Sequence, residues 1–392
     1  MKTFKFGIWL LVSLVVILSA ALAGACSQPA ATTQSATSAI TTSQAATTAA
    51  ATSTEVIELT LTTLNPEPSN EVERGNQFTP VWIDEVERVT NGRVKITTYW
   101  SNTLAGPMEH YDAAANGRAD IANMYTMMTP GQFPMTDVFT VPSPDFVSAH
   151  KSRIWWELYQ KYSEDMNKEY ANTKLLTVEV NGSYAGLLSS KPIDSLDDLK
   201  GLKVQAPGTW ITKFMQSIGA SPVALPQTDV YMALQTGVVD ASLANWIFMP
   251  PPNEGGQGWG ELAKYYTEID LFDTPFYMVM NLDKWNTLPA EVQQQIEDLN
   301  QTYVDKIDEI DWRRQIELRA YSLKAYSNEP VWLTAEELTK WKTAFSPIQN
   351  EFAADLDSKG LPGTAFLQDY LSLCEKYKLT DYSELANYYS TN

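Results

Sequence analysis

The chain has 392 residues with 28 basic and 47 acidic side chains, a formal charge of −19, two cysteines and two histidines, His110 and His150. Such acidity makes nucleic acid and anionic lipid headgroups poor partners, and so few histidines and cysteines argue against a zinc centre or a His-based triad. Neither a P-loop nor a G-x-S-x-G elbow occurs, and the length suits two lobes rather than one minimal core.

Lys2 and Lys5 precede a run without charge, residues 6–25, that ends in Ala23-Gly24-Ala25-Cys26. A basic start, an apolar stretch and small residues before a cut make a secretory signal. The cysteine directly after them gives residues 1–25 the form of a bacterial lipoprotein signal, with Cys26 as the lipidated first residue of an exported, membrane-anchored protein. Ala23 stands where leucine is commonest in such signals. The alternative is a retained anchor, because a run of this length is enough to span a bilayer. Residues 27–54 are almost entirely Ala, Thr, Ser and Gln and cannot bury apolar surface, so 26–54 reads as a disordered tether with a reach on the order of 30 Å. Removing Lys2 and Lys5 with the signal leaves 26 basic against 47 acidic side chains, a charge of −21. With Cys26 lipidated, Cys374 stands alone, and the body relies on its core rather than on a disulfide.

The folded part begins with a strand over 56–64 and a Pro-rich turn, Asn65-Pro-Glu-Pro-Ser69. A helix is predicted over 74–90, with Phe78, Val81, Trp82, Val86 and Val89 at core spacing. Asn91-Gly92 stops it before a strand at 93–99. A short helix at 107–116 and a strand at 119–124 follow, with Tyr125 just past the strand. A longer helix over 146–171 leads to strands at 175–181 and 184–189. Residues 196–246 then alternate tightly. Ser195-Leu-Asp-Asp198 has capping-box character, and 202–205 is a strand. Thr209 is placed to cap a helix with Ile211, Phe214, Met215 and Ile218 on one face. A strand at 221–224, a helix capped by Thr228 and a strand at 238–243 complete the unit, with Gly201, Gly219 and Gly237 as stops.

Ligand-binding groups gather at the ends of such strands, where Gln205, Trp210 and Asn245 lie. Residues 247–259 are an aromatic, Pro/Gly-rich loop. A helix and strand over 261–269 and a β segment at 276–281 come next. A long helix from Pro289 carries one apolar stripe, Val292, Ile296, Leu299, Tyr303, Ile307 and Ile310, for five turns. A strand at 331–333, a capping box at Thr334-Ala-Glu-Glu337 and a final helix at 364–377 close the chain. The expected fold class is α/β, two-lobed, with a long bracing helix.

The chain resembles the extracytoplasmic solute receptors of tripartite ATP-independent periplasmic (TRAP) transporters, the dicarboxylate-receptor family. The residues that carry the resemblance are Leu199-Lys-Gly-Leu-Lys203, Gly219-Ala220 with Pro222-Val223, and above all Ala233-Leu-Gln-Thr-Gly-Val-Val-Asp240. Thr90-Asn-Gly-Arg-Val94, Ala115-Asn-Gly-Arg-Ala-Asp120, Lys264-Tyr-Tyr-Thr267 and Trp285-Asn-Thr-Leu-Pro289 add to it. The match runs over about 55–325. It implies a periplasmic-binding-protein-like fold with discontinuous lobes, here 55–182 with 270–310 and 183–269 with 311–392, and a ligand cleft at the hinge. It implies no catalysis and no cofactor or metal. The function would be capture of a small organic solute and delivery to integral-membrane permease subunits driven by an ion gradient.

The departures from the family bear on the ligand. The strand after K-G-L-K usually supplies an arginine that pairs with a ligand carboxylate through its rigid fork, and here the aligned residue is Gln205. A second arginine of some members falls near Ala185, beside Tyr184, and the asparagine after V-D corresponds to Ala244 or Asn245. The expected ligand is therefore neutral, zwitterionic or aromatic, or a carboxylate held by another base. Tyr125, Tyr184, Trp210, Trp246, Phe276 and Tyr277 are candidates for an aromatic box. Arg74 is a candidate replacement anchor, and Glu67 and Asn70 are expected to face the cleft. Two other classes stay open: an ABC-transporter substrate-binding lipoprotein, and a tethered hydrolase using paired carboxylates, for which Asp229 and Asp240 are available without a selecting spacing.

Overall fold

A computed structural model describes residues 55–143, 150–181, 186–252 and 256–378. The signal run, Cys26, the tether, Tyr184 and Ala185 lie outside the described residues. Strand β1 (Ile57–Thr63) is followed by α1 (Glu71–Gly75), α2 (Phe78–Val89), β2 (Val94–Tyr99), α3 (His110–Ala115), β3 (Ile121–Tyr125), α4 (Lys151–Met166) and β4 (Thr173–Asn181). Next come β5 (Gly186–Ser189), β6 (Lys203–Gln205), α5 (Thr209–Ser217), β7 (Ser221–Val223), α6 (Val230–Gln235), β8 (Ala241–Ala244) and β9 (Tyr265–Glu268). The chain then forms β10 (Thr274–Asn281), α7 (Leu282–Thr287), α8 (Ala290–Ala325), β11 (Glu329–Trp332), α9 (Ala335–Ser358) and α10 (Gly363–Lys376).

The strands make two mixed sheets. The five-stranded sheet has the order β2-β1-β3-β10-β4, and the six-stranded sheet the order β11-β9-β5-β8-β6-β7. Strand β1 runs parallel to β2 and β3, while β10 is antiparallel to both β3 and β4. In the second sheet β6 is parallel to β7 and β8, and β5 is antiparallel to β8 and β9. The chain passes from one sheet to the other between β4 and β5 and returns between β9 and β10. Burial explains the first layer of helices. Phe78, Trp82 and Val86 recur every fourth residue of α2 and pack with Val292, Ile296 and Tyr303 of α8. Trp82 also donates its indole N–H to Asn300 Oδ1 at 2.8 Å. On α5, Ile211, Phe214 and Met215 join Phe345, Phe352 and Leu356 of α9 in the largest core.

Several boundaries differ from the sequence expectation. The helix expected over 74–90 is two helices. Asn70 caps α1, its Oδ1 accepting from Glu73 N at 2.9 Å, and Gln77 (φ −122°, ψ 136°) is extended before α2 begins. Pro80, in the first turn of α2, is tolerated because its missing N–H is an orphan there anyway. Gly208 (φ 82°), not Thr209, is the residue before α5, and Thr228 sits in a 3-10 turn ahead of α6. Residues 246–248 and 259–261 form 3-10 turns at the two ends of the loop expected over 247–259. The capping box at Ser195 is present, and Thr334 Oγ1 accepts from Glu337 N at 3.2 Å. Helix α8 runs 36 residues, roughly 54 Å at the α-helical rise, and continues four turns past Ile310. No described helix is long and apolar enough to cross a membrane.

Candidate functional site

Where the carboxyl ends of β1, β3, β6 and β8 converge, the described residues enclose a cleft of about 1390 Å³. Parallel strands of open sheets leave such a space at their carboxyl ends, because the connections turn away there to either face. The five-stranded sheet contributes Tyr125, Glu179, Asn181 and Phe276, and the stretch from β1 to α2, which includes α1, contributes Glu67, Asn70, Glu73 and Gln77. Facing them across the cleft are Gln205, Asn245, Phe248 and Trp259, with Thr209 and Lys213 from α5. Along one wall runs the second half of α8, with Ile310, Asp311, Arg314 and Glu317.

Six of the sequence candidates line this space: Glu67, Asn70, Tyr125, Gln205, Asn245 and Phe276. Tyr125 and Phe276 meet edge-on with ring centroids 5.2 Å apart, and burial raises the Tyr125 phenol above its ordinary value. Gln205 is 4% exposed, and its Oε1 accepts from Ser242 Oγ at 2.9 Å. That bond leaves the amide nitrogen, a donor, for the cleft.

Four candidates go elsewhere. Arg74 does not line the cleft; its guanidinium pairs with Asp84 through Nε (2.9 Å) and Nη2, since the break between α1 and α2 turns it toward the first turns of α2. Trp210 shares the α5 face of Phe214, four residues on, and packs edge-on against Phe352 of α9 at 5.3 Å; Thr209, Thr212 and Lys213 hold the cleft side of that helix. Trp246 is fully buried against Tyr266, with ring centroids 4.3 Å apart, because the 3-10 turn it starts sends Ile247 and Phe248 to the cleft instead. Tyr277 is core, against Tyr111 and Phe133. Tyr184 is outside the described residues.

Six charged lining residues are not among the sequence candidates: Glu73, Glu179, Lys213, Asp311, Arg314 and Glu317. Glu179 is a carboxylate inside the apolar strand β4, between Val178 and Val180, and that interruption was the available signal. Burial and the Asp311 carboxylate push it up to about 8, against the Asn181 amide (Nδ2 to Oε1, 3.2 Å) and Arg314. Burial pulls Arg314 below the ordinary arginine value, while Asp311, Glu179 and Glu73 act to hold it up. Among the lining side chains, Glu67, Glu73, Glu179, Asp311 and Glu317 are acidic and Lys213 and Arg314 basic. Lys213 is also engaged, in an ion pair with Glu351. Five acidic side chains against two basic ones make the lining acidic. Among the described residues, no group of three or more His, Cys, Asp or Glu side chains is placed to hold a metal ion.

The model of the bacterial extracellular solute-binding proteins, family 7 (DctP), matches residues 70–355. The C4-dicarboxylate-binding periplasmic protein DctP of Rhodobacter capsulatus is 26% identical over 274 residues, 68% of this chain and 79% of that one. A TRAP periplasmic solute-binding protein of Desulfovibrio salexigens, in an open complex with the C-terminus of a symmetry mate in its ligand-binding site, superposes with a TM-score of 0.73. It is 29% identical and covers 83% of this chain and 98% of its own. A TRAP solute-binding protein of Rhodoferax ferrireducens with copurified benzoate gives a TM-score of 0.71 at 25% identity, covering 82% of this chain and 98% of its own.

Proposed function

Since the chain belongs to the family-7 bacterial extracellular solute-binding proteins, and is a solute receptor of the TRAP type, we propose that it captures a small organic solute in the cleft described above and passes it to an ion-gradient-driven permease. The observation that carries this reading is the cleft itself, set at strand ends between two sheets and flanked by one continuous helix. The lobes are assigned as 55–182 with 270–310 and 183–269 with 311–392, the boundary falling within α8. The strands of the five-stranded sheet fall in the first set and those of the six-stranded sheet in the second, which supports the assignment. Solute touching both lobes has more contacts in the closed form and shifts the equilibrium toward it. The role is transport rather than turnover. Lipidation at Cys26 and the tether at 26–54 would hold this body at the outer face of a membrane, near its permease.

The ligand departs from the simple dicarboxylates of the family's usual members. Gln205 brings no charge to offset a buried anion, and acidic side chains outnumber basic ones around the space. The test is a thermal-shift screen of residues 55–392 against carboxylic acids, amino acids, sugars and aromatics. A compound at 100 times its Kd stabilises the native state by about 2.7 kcal/mol, and its binding should weaken in Gln205→Ala. Micromolar binding of succinate or malate that Gln205→Ala leaves unchanged would remove the altered-ligand reading. A screen with no binder would remove the receptor reading.

A further inference from the structure

In the cleft, the registers of three adjacent strands set an aromatic pair beside a carboxylate. Tyr125 of β3 is opposite Phe276 of β10, and Phe276 is opposite Glu179 of β4. Directly opposed side chains have Cβ atoms about 4.5–5.5 Å apart, so Tyr125, Phe276 and Glu179 form one row, and all three line the cleft. A ring face next to a carboxylate suits a cationic nitrogen, which the ring quadrupole and the anion both attract. Asp311 adds a second carboxylate from α8, close enough that its charge raises Glu179.

An independent feature also asks for a donor on the ligand. Asn245 is 5% exposed and lines the cleft, and its Oδ1 has no hydrogen-bond partner among the described residues. Gln77 Oε1, also in the lining, is in the same condition. A buried acceptor without a partner is costly, and an N–H from a bound solute would satisfy it. Donors for an anionic end are present as well: the Gln205 amide nitrogen, the Trp259 indole N–H and Arg314. Asp311 and Arg314 are three residues apart on one helix, hence neighbours on its surface. They offer opposite charges side by side, as an α-amino acid does.

We propose that Tyr125, Phe276 and Glu179, together with Asp311, form a subsite for a protonated primary amine, and that the solute is a small zwitterion with an aromatic body, of the aromatic α-amino acid class. The ammonium sits at Glu179 and Asp311, the ring against Tyr125 and Phe276, and the carboxylate at Arg314 and the Gln205 amide. This rests on the receptor reading and sharpens it. Binding of the cation stabilises the ionised form of Glu179, so a proton leaves on binding at neutral pH.

Calorimetry and thermal shift on residues 55–392 test this with L-phenylalanine, L-tyrosine and L-tryptophan. The comparison compounds are 3-phenylpropanoate, which lacks the amine, and 2-phenylethylamine, which lacks the carboxylate. At least one amino acid is expected to bind tenfold or more tightly than either analogue. Its binding should release protons at pH 7.5, seen as a dependence of the heat on buffer ionisation enthalpy. Glu179→Gln is expected to weaken amino-acid binding at least tenfold and to abolish the proton release, with binding of 3-phenylpropanoate unchanged or stronger. Asp311→Asn carries the same expectation for affinity should the first variant fail to fold. Equal or tighter binding of 3-phenylpropanoate, or unchanged amino-acid affinity in both variants, overturns the amine subsite while leaving the receptor reading in place. If none of these compounds binds, the zwitterion class is overturned, and the receptor reading falls with it only if the wider screen is also empty.

Discussion

Lys151, at the start of α4, is 1% exposed, and its Nζ donates to Asp270 and Asp273, each at 2.7 Å. Both carboxylates lie on the connection that leaves the six-stranded sheet after β9 and re-enters the five-stranded sheet at β10. Burial works against the lysine charge, but Asp270 and Asp273 together hold its pKa above the ordinary lysine value. Replacing one partner of such a cluster leaves the others charged in a dry place, which costs about 3–5 kcal/mol. Lys151→Met is therefore expected to lower the urea midpoint substantially. Adding Asp270→Asn and Asp273→Asn should recover much of the loss, because the carboxylates no longer need a cation. A triple variant as unstable as the single one would mean that packing around the lysine stem, not charge, is what the site needs.

At the scale of elements, close approaches between helices are set by residues without side chains. A Cβ on Gly363, at the start of α10, would lie 2.1 Å from the Ala353 carbonyl oxygen and 2.6 Å from Leu356 Cβ, both on α9. Gly363→Ala must push the α9–α10 pair apart, and overpacking of this kind costs about 1–3 kcal/mol. Gly75, the last residue of α1, has nothing within 4 Å of its would-be Cβ, and Gly75→Ala is expected to stabilise by about 0.4–1 kcal/mol. Urea midpoints at constant m-value would read both signs.

Elements also show where apolar periodicity stops being informative. The stripe on α8 was legible from Val292 to Ile310. Beyond it Trp312 is buried, but so are Asp311, Gln315 and Ser322, and polar residues do not register in an apolar count. The residues that bring charge to the cleft were hidden for that reason. On α5 the spacing identified one apolar face, but not that Trp210 belongs to it through Phe214 and α9.

For the molecule as a whole, buried carboxylates set a pH dependence. Glu169 accepts from the backbone N–H groups of Met135 and Thr136, and from Thr136 Oγ1 at 2.9 Å. Burial outweighs those bonds and pushes it up to about 8, as burial and Asp311 do for Glu179. With folded values above the ordinary 4.5, the native state binds more protons than the unfolded chain, so stability falls as pH rises toward 8. His110 and His150 act in the opposite sense: burial lowers both, His110 to about 4 from 6.5, so stability from them is gained as pH rises to about 6.5. Between pH 6.5 and 8 the two glutamates act without that opposition, each contributing a loss of up to about 2 kcal/mol at 1.36 kcal/mol per pH unit. The melting temperature is expected to fall over that window and to fall less in Glu169→Gln. A profile in the variant as steep as in the parent would show that Glu169 is ionised throughout.

Local pattern along the chain is enough for the α/β class, most of the helices and strands, and the family, because caps, glycine stops and hydrophobic spacing are local and the Ala233–Asp240 motif is contiguous. It also placed Gln205 and Asn245 at strand ends, since a strand and the turn after it can be read from their own residues. Tertiary structure alone decided which side chains meet. Arg74 is the anchor candidate the sequence offers, yet its guanidinium pairs with Asp84 ten residues on, while Arg314, which no local pattern singles out, reaches the cleft on α8. The row of Tyr125, Phe276 and Glu179 joins residues up to 151 positions apart through strand register. Register depends on which strands pair, and a linear pattern shows the face of a residue but not its neighbour across the sheet.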